Sequence, residues 1–225
     1  MKINYEGELI IIINVIQTQR QPKPEFTIEN IVEKVHMGEA IAHSYNSTYA
    51  NIENKRYDFD STRYPAVNNK GIKIKKFNIN VSDGSCIELF DDIIVTKKVL
   101  FVPIGYSFFR VIYSDIEYLV YEIGMGNDKH YFNFYENDKL IGIIHKHDRV
   151  IDFKDTYTLY FEDKDTSILA SVFTIFVDCG LYADVGKVSG GSDEAVAFFT
   201  PQKELKEKYD PTFIPRIKAL HNMAE

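Results

Sequence analysis

A mainly β fold with helices (α+β) is predicted, an antiparallel meander closing into a barrel or sandwich around a hydrophobic helix at about 167–183. Three observations predict it. Short β-branched and aromatic runs recur from Gly71 to Phe161 at intervals of roughly 8–12 residues. Aromatic residues make up 14% of the chain, all Tyr and Phe, and these side chains fill a pleated, half-buried surface well. Residues 167–183 are apolar nearly all round. Ile168, Leu169, Val172, Phe173, Phe176 and Leu181 share one helical face, and Ile175, Cys179 and Tyr182 thicken the other. A helix of that kind belongs inside something, and the strands just before it are the natural surroundings.

In chain order, residues 7–16 form a continuous β-branched run that predicts a strand buried on both faces. Pro22 and Pro24 then make an extended connector. From Thr27, a possible cap, Ile28, Ile31, Val32, Val35 and Ala42 recur at helical spacing and predict a helix over 27–44, with Glu29 favouring its dipole. Residues 45–70 are polar and Asn-rich, and predict a long loop.

From Gly71 the alternation is clean through Ile72, Ile74, Phe77, Ile79 and Val81; the phase break at Lys75 and Lys76 predicts a bulge or a change of face. Ser82-Asp83-Gly84-Ser85 is a turn, and Cys86 to Phe90 resumes the strand. Further strands are expected at 93–96, 99–104, 108–113, 118–123, 131–136, 140–145 and 157–161. Turn signals lie between them at Gly105, Ser114-Asp115, Gly124 to Asp128, Asn137-Asp138 and His147-Asp148. Asn137-Asp138 is a tight-hairpin signal. Gly186 to Ser192 has linker composition, and a charged tail from Pro201 ends in a helix that Pro215 can open. The organisation expected is an N-terminal strand, helix and polar loop over 1–70 integrated with the main domain, a β domain with its helix over 71–185, and a linker with a helical tail over 186–225.

The net charge of −7 over 225 residues argues against non-specific nucleic-acid binding, which needs a basic footprint. Cys86 and Cys179 are far apart, and Cys179 falls in the apolar helix, so free thiols in a reducing compartment are expected. No run approaches the ~20 apolar residues of a membrane span, and no signal peptide follows Met1. A cytoplasmic protein without a transmembrane segment is expected.

The order of elements, with Tyr118-Leu-Val-Tyr-Glu-Ile, Tyr131-Phe-Asn-Phe-Tyr-Glu-Asn-Asp-Lys-Leu-Ile-Gly, Tyr157-Thr-Leu-Tyr-Phe-Glu and Phe-Val-Asp-Cys-Gly in the helix, resembles the tubby C-terminal-like superfamily over about 106–184. That superfamily includes the LURP-one-related and phospholipid scramblase proteins. The resemblance implies a closed antiparallel barrel enclosing a hydrophobic helix. No position matches the basic residues that bind phosphoinositides in tubby proteins, so the resemblance implies a fold and transfers no site.

The ligand-binding candidates are Lys70, Lys73, Lys75 and Lys76, a basic cluster that could meet an anionic lipid headgroup or phosphate; in an acidic chain, protection of an edge strand is the reading that ranks above it. His145 and His147 share a strand face and, with His130, could approach a metal. His36, Glu39 and His43 would share a face of the expected 27–44 helix. Neither set completes a recognised ligand pattern, so no metal and no cofactor is expected. No phosphate-binding loop or Gly-x-Ser-x-Gly elbow occurs, and no catalytic residue is assigned. The function expected is a non-enzymatic β-rich binding or scaffold protein for a lipid or a protein. Two alternatives are an acidic interaction or immunity-type protein without lipid binding, and a metal-assisted hydrolase using His130, His145 and His147.

Overall fold

The structure, a computed structural model, describes residues 11–19, 23–43, 47–99, 102–125, 129–147, 154–180 and 203–223. Twelve antiparallel strands follow one another around a closed barrel. They are β1 (Ile11–Gln19), β2 (Glu25–Asn30), β3 (Val35–Ala42), β4 (Thr48–Ile52), β5 (Lys55–Val67), β6 (Lys73–Val81), β7 (Cys86–Val99), β8 (Val102–Tyr113), β9 (Ile116–Gly124), β10 (His130–Glu136), β11 (Lys139–Lys146) and β12 (Thr156–Phe161). Each strand pairs with its neighbours in sequence, and β1 closes the ring on β12, with Ile13 opposite Leu159. Closure leaves no free edge, so strand-edge protection is not a task any residue of this barrel has to perform.

Because the meander is strictly antiparallel, the β2–β3, β4–β5, β6–β7, β8–β9 and β10–β11 connections all turn at one end. Several are two-residue hairpins in which both central residues have positive φ: Glu53-Asn54, Ser114-Asp115 and Asn137-Asp138. Such mirror-image turns match the right-handed twist of the strands they join. The chain arrives at this same end after β12 and enters α1 (Lys164–Gly180). The Asp163 carboxylate caps the helix, accepting from the Thr166 amide at 2.7 Å.

Helix α1 is buried from Thr166 to Cys179 except at Ile168. Phe173 meets Phe109 of β8 and Phe132 and Phe134 of β10 edge-on, at centroid distances of 5.3, 5.9 and 5.3 Å. Phe176 meets Phe77 of β6 at 5.0 Å. The polar residues of the helix are satisfied locally: Ser171 donates to the Ser167 carbonyl at 2.9 Å and Thr174 to the Ala170 carbonyl at 2.8 Å. Asp178 accepts from the Tyr157 hydroxyl of β12 at 2.7 Å.

The C-terminal segment forms α2 (Lys203–Glu207) and α3 (Phe213–Met223), which cover apolar side chains on the other face of the sheet. Phe213 and Ile217 pack with Ile12, Ile143 and Tyr160, and Leu205 packs with Phe108, Tyr121 and Tyr135. Asn133 and the Tyr135 hydroxyl both donate to the Lys208 carbonyl at 2.8 Å.

Three expectations are corrected. Residues 27–44 are not a helix but the β2–β3 hairpin. The Asn30 side chain accepts from the Val32 and Glu33 amides at 3.0 Å, and Lys34 turns the chain at φ 56°. The loop expected over 45–70 contains β4 and β5, whose inward residues Ala50, Ile52, Tyr57 and Phe59 join the core. The separate strands at 86–90 and 93–96 are one strand, β7. It runs straight through Asp91-Asp92 because buried Asp92 is held by Arg110 at 2.8 Å and Asn68 at 2.8 Å. The Asn137-Asp138 and Ser82–Ser85 turns stand where expected, and Pro215 lies in the first turn of α3. The linker at Gly186–Ser192, residues 7–10 of the first strand and residues 181–183 of the expected helix fall outside the described residues.

Candidate functional site

At the tight-turn end a cavity of about 350 Å³ opens beside the start of α1. Four segments that are distant in sequence build it. The β4–β5 hairpin supplies Ile52, Glu53, Lys55 and Tyr57, and β7 supplies Ile87. The β8–β9 hairpin supplies Tyr113, Ser114, Ile116 and Tyr118, and the first turns of α1 supply Asp165, Ile168 and Leu169. Tyr57 and Tyr118 reach it because strand alternation points them toward the core cluster, while their place near the strand ends leaves space beyond their rings. Ile168 is the residue of the buried stretch of α1 that stays partly open.

The cavity has an apolar floor of Ile52, Ile87, Ile168 and Leu169, three phenol walls and a charged rim. The Tyr57 hydroxyl is pushed up to about 12, by burial first and then by Tyr113, with Lys55 opposing and Asp83 and Glu53 reinforcing. Tyr118 is raised by burial, opposed by Thr166 and reinforced by Glu136, Asp163 and Asp165. Both phenols therefore stay protonated at neutral pH. On the rim, Lys55 pairs with Asp83 at 2.8 Å and Glu53 with Lys164 at 2.8 Å. Its hydrogen bond to Lys55, and then those from Ser85, hold the Asp83 carboxyl well below the usual range. Asp165 has no ion pair or hydrogen bond among the described residues, and it lies in the open.

A second polar group lies where α1 ends. Lys146 of β11 donates to the Tyr157 hydroxyl at 3.0 Å and pairs with Asp155 at 2.7 Å, while Tyr157 donates to Asp178. The Asp155 amide donates to the Gln17 side chain at 3.1 Å. This chain of charge-assisted bonds ties the helix end to β11 and β12.

The basic cluster is only partly assembled. Lys70 lies exposed in the β5–β6 turn, and Lys73 and Lys75 are exposed on one face of β6. Alternation turns Lys76 to the opposite face, where it pairs with Glu88 and stands over the Phe90 ring. Lys75 lies opposite Asp91, whose carboxyl is raised by burial, with Lys75 opposing. Lys75 and Lys76 are thus each matched by a nearby acid, while Lys70 and Lys73 stand exposed.

The histidines do not converge. His145 and His147 are neighbours, with ring centroids 4.4 Å apart. His130, however, lies directly opposite Lys146, so it occupies the face away from His145, and it is hydrogen-bonded to Glu122 at 2.8 Å. His36, Glu39 and His43 run along β3 and its end, where four residues span about 13 Å, so the helical juxtaposition expected of them does not exist. His43 stacks on Tyr49 at 5.9 Å. Among the described residues no group of three or more His, Cys, Asp or Glu is placed to hold a metal ion. Cys86 is exposed and Cys179 buried, both as free thiols. No helix among the described residues is long and apolar enough to cross a membrane.

The tyrosine-lined cavity had no counterpart in the sequence reading. The signal that could have pointed to it is Tyr113-Ser-Asp-Ile-Glu-Tyr118, two tyrosines flanking a tight turn at the position where a meander returns. Compared with known proteins, the chain matches no family model, no curated protein and no solved structure.

Proposed function

We propose that this chain is a non-enzymatic binding or scaffold protein of tubby-like fold, with α1 running through the barrel and the cavity beside its first turns taking the ligand. The observation that carries this reading is the ring of partners around α1. Its side chains meet β6 through Phe77, β8 through Phe109, β10 through Phe132 and Phe134, and β12 through Tyr157, which spans half of the circuit of the closed sheet. A helix packed on the outside of a barrel meets adjacent strands only. The mouth of a barrel is also a common place for a small-molecule site, and the cavity falls near the lower end of the usual ~300–1,000 Å³. Among the described lining residues there is no histidine or cysteine to serve as base or nucleophile, which favours binding over turnover.

Two measurements test the reading. In native-state hydrogen exchange, the amides of 169–177 should exchange as slowly as those of β10 and β12, because they open only with the whole barrel. In a methyl-detected fragment screen, hits should shift Ile52, Ile87, Ile168 and Leu169 and be recovered chemically unchanged. Early exchange of α1 removes the threaded helix; hits that map elsewhere, or that are converted, remove the binding cavity.

A further inference from the structure

We infer that the cavity beside α1 takes a small ligand carrying an N-alkylated ammonium group, with Asp165 facing the charge and Tyr57, Tyr113 and Tyr118 facing the N-alkyl groups. This rests on the cavity reading above and adds the chemistry of the occupant.

The rim decides the sign of charge. Glu53 is neutralised by Lys164 and Lys55 by Asp83, each at 2.8 Å. That leaves the Asp165 carboxylate as the unpaired charge among the described lining residues. The positive end of the α1 dipole, which would otherwise repel a cation, is already capped by the Asp163 carboxylate. At the Tyr118 wall the charges that act on the phenol are the carboxylates Glu136, Asp163 and Asp165, whereas at the Tyr57 wall Lys55 opposes Asp83 and Glu53. An anionic ligand would meet this field unfavourably, and an uncharged apolar ligand would cover Asp165 while giving it nothing.

The walls decide the type of cation. Three tyrosine side chains line this small cavity, and the face of a tyrosine ring attracts a cation within about 6 Å of its centroid. Recognition of quaternary and methylated ammonium groups by such rings is favoured over that of a bare ammonium here. An N-alkyl shell fills the apolar floor of Ile52, Ile87, Ile168 and Leu169 and needs no hydrogen-bond acceptor, whereas a primary ammonium needs three. The Tyr118 hydroxyl is engaged by Thr166, which leaves the Tyr57 and Tyr113 hydroxyls to meet a polar group at the far end of the ligand.

The test uses choline and its uncharged isostere 3,3-dimethylbutan-1-ol, titrated into the full chain with chemical-shift or calorimetric readout. Choline should bind at least tenfold more tightly than the isostere, equivalent to about 1.4 kcal/mol. Asp165→Asn, at an exposed position, should weaken choline about three- to tenfold and leave the isostere unchanged. Tyr113→Phe should retain choline binding within about twofold, and Tyr113→Leu should lose about tenfold. Choline-competed sedimentation with phosphatidylcholine vesicles would identify a lipid headgroup as the source of the same ammonium group, and its absence together with choline binding would identify a free ligand. Equal binding of choline and the isostere overturns the ammonium assignment while leaving a binding cavity in place. Absence of choline binding to a chain whose melting is normal also overturns it, and the fragment screen then judges the cavity on its own.

Discussion

Truncating Phe173 to alanine is the most informative perturbation of the core, and Phe176→Ala is its internal control. Phe173 is 1% exposed and is enclosed by three rings from two strands, at 5.3, 5.9 and 5.3 Å. Phe176 is 8% exposed and meets one ring, Phe77, at 5.0 Å. Deleting a buried phenylalanine costs about 3–5 kcal/mol, and each edge-to-face pair adds about 0.5–1.5 kcal/mol beyond area burial. Phe173→Ala therefore belongs at the top of that range, about 4–5 kcal/mol, and Phe176→Ala near the bottom, about 3 kcal/mol. For a chain of this size 1 kcal/mol moves Tm by about 2–4 °C, so Phe173→Ala should melt about 8–20 °C below the parent. Urea titration with a common m-value is the primary assay, with thermal melting as the check. A loss under 1 kcal/mol for Phe173→Ala, or a larger loss for Phe176→Ala, would refute the enclosed-helix reasoning.

Three further outcomes are expected. A Cβ on Gly142 would stand 2.1 Å from the buried Phe161 ring directly across the pair, so Gly142→Ala should cost about 1–3 kcal/mol in urea titration and be partly rescued by Phe161→Leu. At Gly38 the added carbon would meet the Asn51 backbone carbonyl at 2.0 Å, which cannot rotate away, so Gly38→Ala should be the more damaging of the two glycine variants. In alkaline titration followed by phenolate absorbance, Tyr57, Tyr121 and Tyr135 should titrate late, each pushed up to about 12 by burial. Because these folded-state values lie above the unfolded value near 10, their stabilising effect is complete below about pH 10 and is lost as pH rises from about 10 to 12. A folded chain whose tyrosines all titrate together near 10 would contradict this.

The legible and illegible parts of this fold differ for a physical reason. Between Ser114 and Phe161, alternation and turn chemistry agree, as at Phe132, Phe134 and the Asn137-Asp138 hairpin, and local signals suffice. In 27–44 they conflict. Ile28, Ile31, Val32 and Val35 fit a helical stripe by spacing, but Ile31 and Val35 are exposed, and the turn is set by the Asn30 side chain and an αL lysine rather than by glycine. Asp91-Asp92 reads as a turn because the partners that keep it in a strand, Arg110 and Asn68, lie far along the chain. Lys75 and Lys76 read as one patch, and simple alternation separates them. The cavity was invisible because its members come from two hairpins, a strand and the first turns of a helix, none of which carries a motif.

The position of the cavity bears on how it can bind. Its walls belong to strand ends joined by two-residue turns and to the first turn of a capped helix, with no long loop contributing. Side chains on such elements are already held near one geometry, so little ordering remains for a ligand to impose, and a small occupant can bind without recruiting a large interface. The ion pairs Lys55–Asp83 and Glu53–Lys164 add to this by tying the rim of the β4–β5 hairpin to the β6–β7 turn on one side and to α1 on the other. These exposed pairs contribute little stability individually, and high salt weakens them. Their joint effect is on position: breaking both frees the hairpin that carries Tyr57 from two of its tethers. Ligand affinity at the cavity should therefore fall with ionic strength for two reasons at once, the screening of Asp165 and the loosening of the rim, whereas the barrel beneath it, held by apolar packing, should not respond.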